Sequence, residues 1–354
     1  MFNQVSRPRY KGESAQGRRR FSTYGGLMGL GLGLGVGFLA SLALGSVSIP
    51  PSEVITILLG GEPSKAAWQA IVLQFRLPRA IAAMAAGSAL AISGVQLQAL
   101  FRNPLAGPSI LGINAGASLG VALVVLTGVS TTAGWLGQFS LVAAASLGAA
   151  ATTGLVLLVA QRMRSSLALL IFGLMLGYTT NALVTILLHF SQVDQTLAYL
   201  SWTFGSFAGV TWQQIPLLLP IIVLGLGLAY LACKPLNLLL LGEEQALSLG
   251  LSIKLMRLYL IVSSSLLAGT VTAFCGPIAF LGVAVPHLGR ALFRTLDHQV
   301  VVPASILLGA LLALVANGIA QLPGSQVILP LNAVTALIGA PVLIWLMLRG
   351  NPVR

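Results

Sequence analysis

The sequence predicts an all-α polytopic membrane protein of about ten transmembrane helices, one of them short and discontinuous, with both termini cytoplasmic. Three observations carry this. The 354 residues are 56% hydrophobic and only 7% charged, where soluble domains run at about a quarter charged. The charges fall between long apolar runs: no Asp, Glu, Lys or Arg occurs in 21–52, 80–101, 103–161, 165–193, 195–233, 258–289 or 298–348. A hydrocarbon core about 30 Å thick needs about 20 apolar residues as helix, so most of these gaps hold one span and the longest hold two.

Taken in order, the predicted spans are 24–47, 80–100, 110–127, 139–160, 167–189, 215–233, 258–275, 278–289, 301–320 and 330–348. The first is longer than the apolar region of a signal peptide and is read as a retained span. Residues 1–20 form a basic cytoplasmic tail suited to anionic headgroups, and 21–354 form the transmembrane domain. The eighth span is too short to cross alone. Gly276-Pro277 ahead of it breaks the helix, so a discontinuous pair is expected there. With an even count and the N-terminus inside, 16 of the 19 Lys and Arg residues fall on inner segments, while Lys65, Arg76 and Arg79 fall outside. That asymmetry obeys the positive-inside rule.

The same distribution excludes several function classes. The net charge of +12 is spread over loops and a tail, so nucleic acid is not an expected partner. Glycines 29, 31, 33, 35 and 37 lack the G-x-G-x-x-G spacing of a dinucleotide loop and read as close helix packing. The seven acidic residues, Glu13, Glu53, Glu62, Asp194, Glu243, Glu244 and Asp297, all fall in predicted loops or tails, which weighs against an ion-coupled secondary transporter. No lysine stands in a G-x-x-x-x-G-K-[ST] context, so the chain is not expected to hydrolyse ATP itself. Cys233 and Cys275 lie within or at the edge of apolar runs, and neither a metal nor a cofactor is expected. Gly116-Ala117-Ser118-Leu119-Gly120 fits G-x-S-x-G, the motif of a serine hydrolase, and His189, His287 and His298 are the available bases. The motif lies in a helix of small residues, where packing is the simpler reading.

Two regions suggest function. Arg76-Leu77-Pro78-Arg79 places two guanidiniums just before a span on the outer side, suited to docking an acidic partner or to anchoring the span at the interface. On the inner side, 234–257 is a polar interruption containing Leu241-Gly242-Glu243-Glu244-Gln245-Ala246-Leu247-Ser248-Leu249-Gly250. Acids at the start and glycine at the end frame a short amphipathic helix, with Ala246, Leu247 and Leu249 as packing residues, suited to a partner's grip.

With Ser93-Gly94, Gln98-Ala99-Leu100-Phe101-Arg102-Asn103-Pro104-Leu105-Ala106, Leu111-Gly112, Gly276-Pro277-Ile278-Ala279-Phe280-Leu281-Gly282, Val285-Pro286-His287, Asp297-His298, Thr335-Ala336 and Gly339-Ala340-Pro341, these stretches resemble the FecCD-type permease subunits of ATP-binding-cassette importers. That family takes up iron-siderophores, haem and cobalamin. The resemblance covers 76–348. It implies a permease of the bacterial plasma (inner) membrane with no ATPase site of its own, most often for iron(III)-siderophore complexes, with haem or cobalamin as the alternative cargo. It also implies a second permease subunit as homodimer or heterodimer, two cytoplasmic ATP-binding subunits, and a periplasmic or extracellular substrate-binding protein. By the same resemblance Arg76 and Arg79 dock the binding protein, and Glu243, Glu244, Ala246 and Gly250 form the coupling helix. Ser165 and Ser166 stand at an inner gate, for which helix capping by serine is the plain alternative. Asn103-Pro104 reads as a turn, and His287 as a packing or capping residue. The sequence departs from the family's charged pattern at Asn317, Gln321 and Ile328, so three charges of the outer face are missing.

Overall fold

Where no water is available, a backbone must satisfy its own hydrogen bonds, and this chain does so as helices. The computed structural model describes residues 12–127, 135–163, 165–321 and 328–348. Helix α1 (Gly12–Ala43) is followed by the short α2 (Pro51–Leu58) and α3 (Ala66–Ala70). A π-helical turn, Ile71–Arg76, runs straight into α4 (Leu77–Phe101), and a 3-10 turn, Pro108–Leu111, precedes α5 (Ile113–Val125). Next come α6 (Trp135–Arg162), α7 (Ser166–Phe190), α8 (Val193–Thr203), α9 (Ile215–Leu231) and α10 (Cys233–Leu241). The chain closes with α11 (Glu243–Ser248), α12 (Ile253–Cys275), α13 (Leu281–Phe293), α14 (His298–Ala320) and α15 (Leu331–Leu348).

Among the described residues six helices are long and apolar enough to cross a membrane, and the α9–α10 pair, bent by 47°, adds a seventh. The shorter apolar helices α5, α13 and α15 complete the ten predicted spans in their predicted order. The basic tail is described only from Gly12, where α1 already begins, so residues 12–20 continue the helix of the first span. Residues 1–11, and with them Arg7, Arg9 and Lys11, lie outside the described part, as do Arg164, Arg349 and Arg354. Helices α2, α3, α8 and α10 were not anticipated from the sequence.

Helix α4 is central, with 83% of its apolar window buried, whereas the corresponding figures for α6 and α7 are 28% and 22%. Its small residues explain the position. A Cβ at Gly87 would overlap the Gly309 carbonyl of α14, and one at Gly94 would overlap the Gly282 carbonyl of α13, so the backbones pack at a distance only glycine permits. Gly116 and Gly120 of α5 meet Gly148 and Ala144 of α6 in the same way. The G-x-S-x-G match is therefore a packing seam. Of the glycine row in α1, Gly33 and Gly37 touch Leu311 of α14, while Gly29, Gly31 and Gly35 face open space.

The predicted discontinuity is present. Helix α12 ends at Gly276, whose φ of 74° is a left-handed conformation that favours glycine. A side chain there would also press on the Trp202 carbonyl oxygen, 2.6 Å away. The freed backbone groups find partners elsewhere, as burial requires. Ser206 N–H donates to the Cys275 carbonyl at 2.8 Å, and Ala279 N–H donates to Asn332 Oδ1 at 3.1 Å.

Candidate functional site

At the outer end the two arginines of Arg76-Leu77-Pro78-Arg79 are divided between separate environments. Pro78 cannot donate to the Gln74 carbonyl four residues earlier, and its ring crowds that group, which favours a wider turn ahead of it. The π-helical turn is that wider turn, and Trp212 Nε1–H caps its Leu73 carbonyl at 2.7 Å. Arg76 closes the turn and points inward, with only 7% of its surface exposed. Its Nη1 donates to the carbonyls of Leu42 at 2.6 Å and Ala43 at 2.9 Å, and its Nη2 donates to the Val47 carbonyl. These carbonyls end α1 or follow it, where helical partners run out and a cation is favoured. Gly45 makes room, since a Cβ there would lie 2.8 Å from Nη2. Arg76 is thus engaged with its own chain.

Arg79, three residues on, lies instead on the wall of an outer cavity of about 230 Å³. The cavity is lined by residues 204–208 after α8, by Asn317 and Gln321 at the end of α14, and by 328–331 ahead of α15. The buried Nε of Arg79 has no hydrogen-bond partner among the described residues. The structure therefore gathers Arg79 with Asn317, Gln321 and Ile328, the three positions at which the sequence departs from the charged family pattern. What results is a single cation flanked by neutral amides.

At the inner end the expected short helix within 234–257 is α11, and α10 before it makes the pair a hairpin. Gly242, at φ 124°, turns the chain between them, and Gly250, at φ 88°, lies just beyond α11. Ala246 is fully buried and holds α11 down, so it offers no contact to a partner, whereas Glu244 is exposed. Leu247 and Leu249 do not pack as expected: they are 63% and 61% exposed. Two bare leucines at the end of α11, beside Glu244, form an apolar contact patch.

Several ties hold the hairpin to the spans. Arg102 Nη2 donates to the Leu239 carbonyl at 3.2 Å, and Asn237 Nδ2 donates to Asp297 Oδ1 at 2.7 Å. Asp297 also caps α14, accepting from Gln299 N–H at 2.9 Å. Ser165 is the cap of α7, its Oγ accepting from Ala168 N–H at 3.3 Å. Ser166 Oγ donates to Glu243 Oε1 at 3.1 Å, which brings the expected gate and coupling residues together. Arg257, which the sequence did not single out, completes that junction. Its only outward signal is a cation on the second turn of a span, three residues beyond Lys254.

The remaining candidates have structural partners. Asn103 Oδ1 accepts from Leu105 N–H at 2.9 Å in the predicted turn, and the ring Nε2 of His287 lies 2.7 Å from the Pro104 carbonyl. His298 Nδ1 meets Asn237 Oδ1 at 2.8 Å, and His189 stacks edge-on against Phe190. Arg290, also unremarked in the sequence, donates to Gln98 Oε1 at 2.7 Å. Among the described residues no three His, Cys, Asp or Glu side chains are grouped to hold a metal ion.

Residues 33–349 match the FecCD transport family. The vitamin B12 import system permease protein BtuC of Klebsiella pneumoniae is 41% identical over 325 residues, covering 92% of this chain and 94% of the relative. BtuC of Salmonella typhimurium is 37% identical over 325 residues, with 91% and 94% covered. A solved structure described as an inward-facing conformation of a metal-chelate type ABC transporter superposes with a TM-score of 0.80 at 30% identity, covering 91% of this chain and 98% of that one.

Proposed function

The chain belongs to the FecCD transport family and is a permease of the ABC importer class; from that premise we propose that it imports a corrinoid of the vitamin B12 type across a bacterial inner membrane. The names of its relatives, at 37% identity and above over nine-tenths of the chain, support this cargo over the iron-siderophore expected from the family's commonest use. The metal-chelate description of the solved structure keeps an iron chelate as the second reading. Uptake of labelled cyanocobalamin and of a labelled ferric siderophore by the reconstituted transporter separates them. The proposal expects the corrinoid to be transported and unlabelled siderophore to leave that transport unchanged; the reverse pattern overturns it.

The working assembly would comprise two permease subunits, two ATP-binding subunits on the inner side and a substrate-binding protein outside. The observation that carries this arrangement is α11, with Leu247 and Leu249 bare at its end and Glu244 exposed beside them. Burying the exposed part of the two leucines on a partner contributes about 2 to 3 kcal/mol, one share of the contact that would seat an ATP-binding subunit. Nucleotide-driven closure of the ATP-binding subunits would move α11 and so exchange outward- and inward-open states of the path, with the inner gate at Ser165 and Ser166.

On the outer face Arg79 is the docking residue of the pair. It lines the outer cavity, where its guanidinium would meet a carboxylate of the binding protein, and Asn317 and Gln321 supply neutral hydrogen-bonding groups. Arg76 instead fixes the end of α1. With a single charge at the centre, docking is weaker and less salt-dependent than with a charged cluster.

A further inference from the structure

We propose that Arg257 is a positioning residue for transport, joining α11 to the inner end of α7 through Ser166 and Glu243 so that a displacement of α11 reaches the gate directly. The inference rests on the reading of α11 as the ATPase contact and goes beyond it by naming the path.

One guanidinium meets three elements. Arg257 is 6% exposed and stands on the second turn of α12, a helix with 72% of its apolar window buried, so its base is fixed. Nη1 donates to the Met163 carbonyl just past α6 at 2.9 Å, and Nη2 donates to Ser166 Oγ at 3.2 Å in the first turn of α7. Glu243 Oε1, at the start of α11, lies 3.7 Å from Nη2, too far for a good hydrogen bond. The Ser166 hydroxyl closes that gap: its lone pair accepts from Arg257 while its proton goes to Glu243 at 3.1 Å. A hydroxyl is the smallest side-chain group able to do both at once.

The rest of the hairpin is fastened elsewhere. Asn237 and the Leu239 carbonyl tie α10 to α14 and to Arg102 after α4. Within α11, Ser248 Oγ returns to the Glu244 carbonyl of the same helix. Among the described residues the polar side-chain ties from α11 to the spans therefore run through Glu243. The Glu243 side chain is 39% exposed while Arg257 is buried, so a pull on α11 reaches the Ser166 hydroxyl through Glu243 against an arginine that is held in place.

The test uses the assembled transporter, with ATP-binding subunits and binding protein, in proteoliposomes, and reads substrate moved per ATP hydrolysed. Ser166→Ala and Glu243→Gln should each lower that ratio roughly three- to tenfold, and the double variant should fall no further than the worse single one. Ser166→Thr, which keeps the hydroxyl, should restore the ratio. A merely structural role would instead lower the amount of ATP-binding subunit that copurifies and would leave the ratio of the surviving complexes unchanged. An unchanged ratio in Ser166→Ala, or single effects that multiply in the double variant, overturns the proposal. Gly250→Pro separates the two readings. If it lowers the ratio while Ser166→Ala does not, the path is wrong and the contact at α11 stands; if neither changes it, both readings fail.

Discussion

Arg76 at the outer end and Arg257 at the inner end are buried alike, at 7% and 6% exposure, yet they hold different things. Arg76 donates to three backbone carbonyls at the end of α1, groups that cannot leave without uncoiling the chain. Among the described residues Arg257 donates to the Met163 carbonyl and to the Ser166 hydroxyl on α7, and pairs in charge with Glu243 of α11; the two side chains can exchange partners by rotamer changes. The same residue thus makes a fixed joint on the side that receives substrate and an adjustable one on the side where nucleotide energy enters. Burial does not distinguish them; the chemistry of the acceptors does.

If the outer joint is structural, Arg76→Met should be the most damaging of the changes considered next. It strands buried carbonyls at the α1 terminus at a cost of about 3 kcal/mol, seen as a clear drop in the unfolding temperature of the detergent-solubilised permease. An unchanged temperature would erase the contrast with Arg257. Next in size, Leu247→Ser should weaken binding of the ATP-binding subunit by about 2 kcal/mol, measured by titration of that subunit onto the permease, with the outer face unaffected. Arg79→Gln should follow at about 1.4 kcal/mol, a tenfold weaker association with the binding protein, and should leave the unfolding temperature where it was. Were Arg79→Gln to shift the temperature as much as Arg76→Met, both outer arginines would be structural.

The smallest effect concerns Glu53 in the outer helix α2. Hydrogen bonds from the hydroxyl and amide of Ser64 hold its carboxyl below the usual range. A group with a lowered folded value contributes stability above its unfolded value, and that contribution fades as pH falls through the folded one. Proteolysis of the loop between α2 and α3 should therefore quicken below about pH 4, and Glu53→Gln should remove that pH dependence by making the loop at neutral pH as easily cut as that of the parent protein in acid.

Much of this architecture was legible in the sequence because the bilayer imposes it. Charge gaps located ten spans, Gly276-Pro277 marked the break before α13, and the glycine beyond Leu249 marked the end of α11. The orientation of Arg76 was not legible. A π-helical turn changes which way every following side chain points, and the partners of Arg76 lie about thirty residues away, at the end of α1 and just beyond it. Ala246 and Leu247 illustrate a second limit: six residues of helix are too few for periodicity to say which apolar side chain faces the protein. Arg257 escaped notice because its partners, Ser166 and Glu243, are brought together only by the packing of α7 and α11 against α12. Asn317 and Gln321 stood out only as departures from a family pattern, and their shared position beside Arg79 emerged from the cavity.

The most direct test of the account is uptake into proteoliposomes holding the permease, its ATP-binding subunits and the binding protein. The account predicts that labelled cobalamin accumulates only when ATP is supplied on the inner-face side and that a non-hydrolysable analogue stops the accumulation. Accumulation by the permease alone, or by the complex under an ion gradient without ATP, would contradict it.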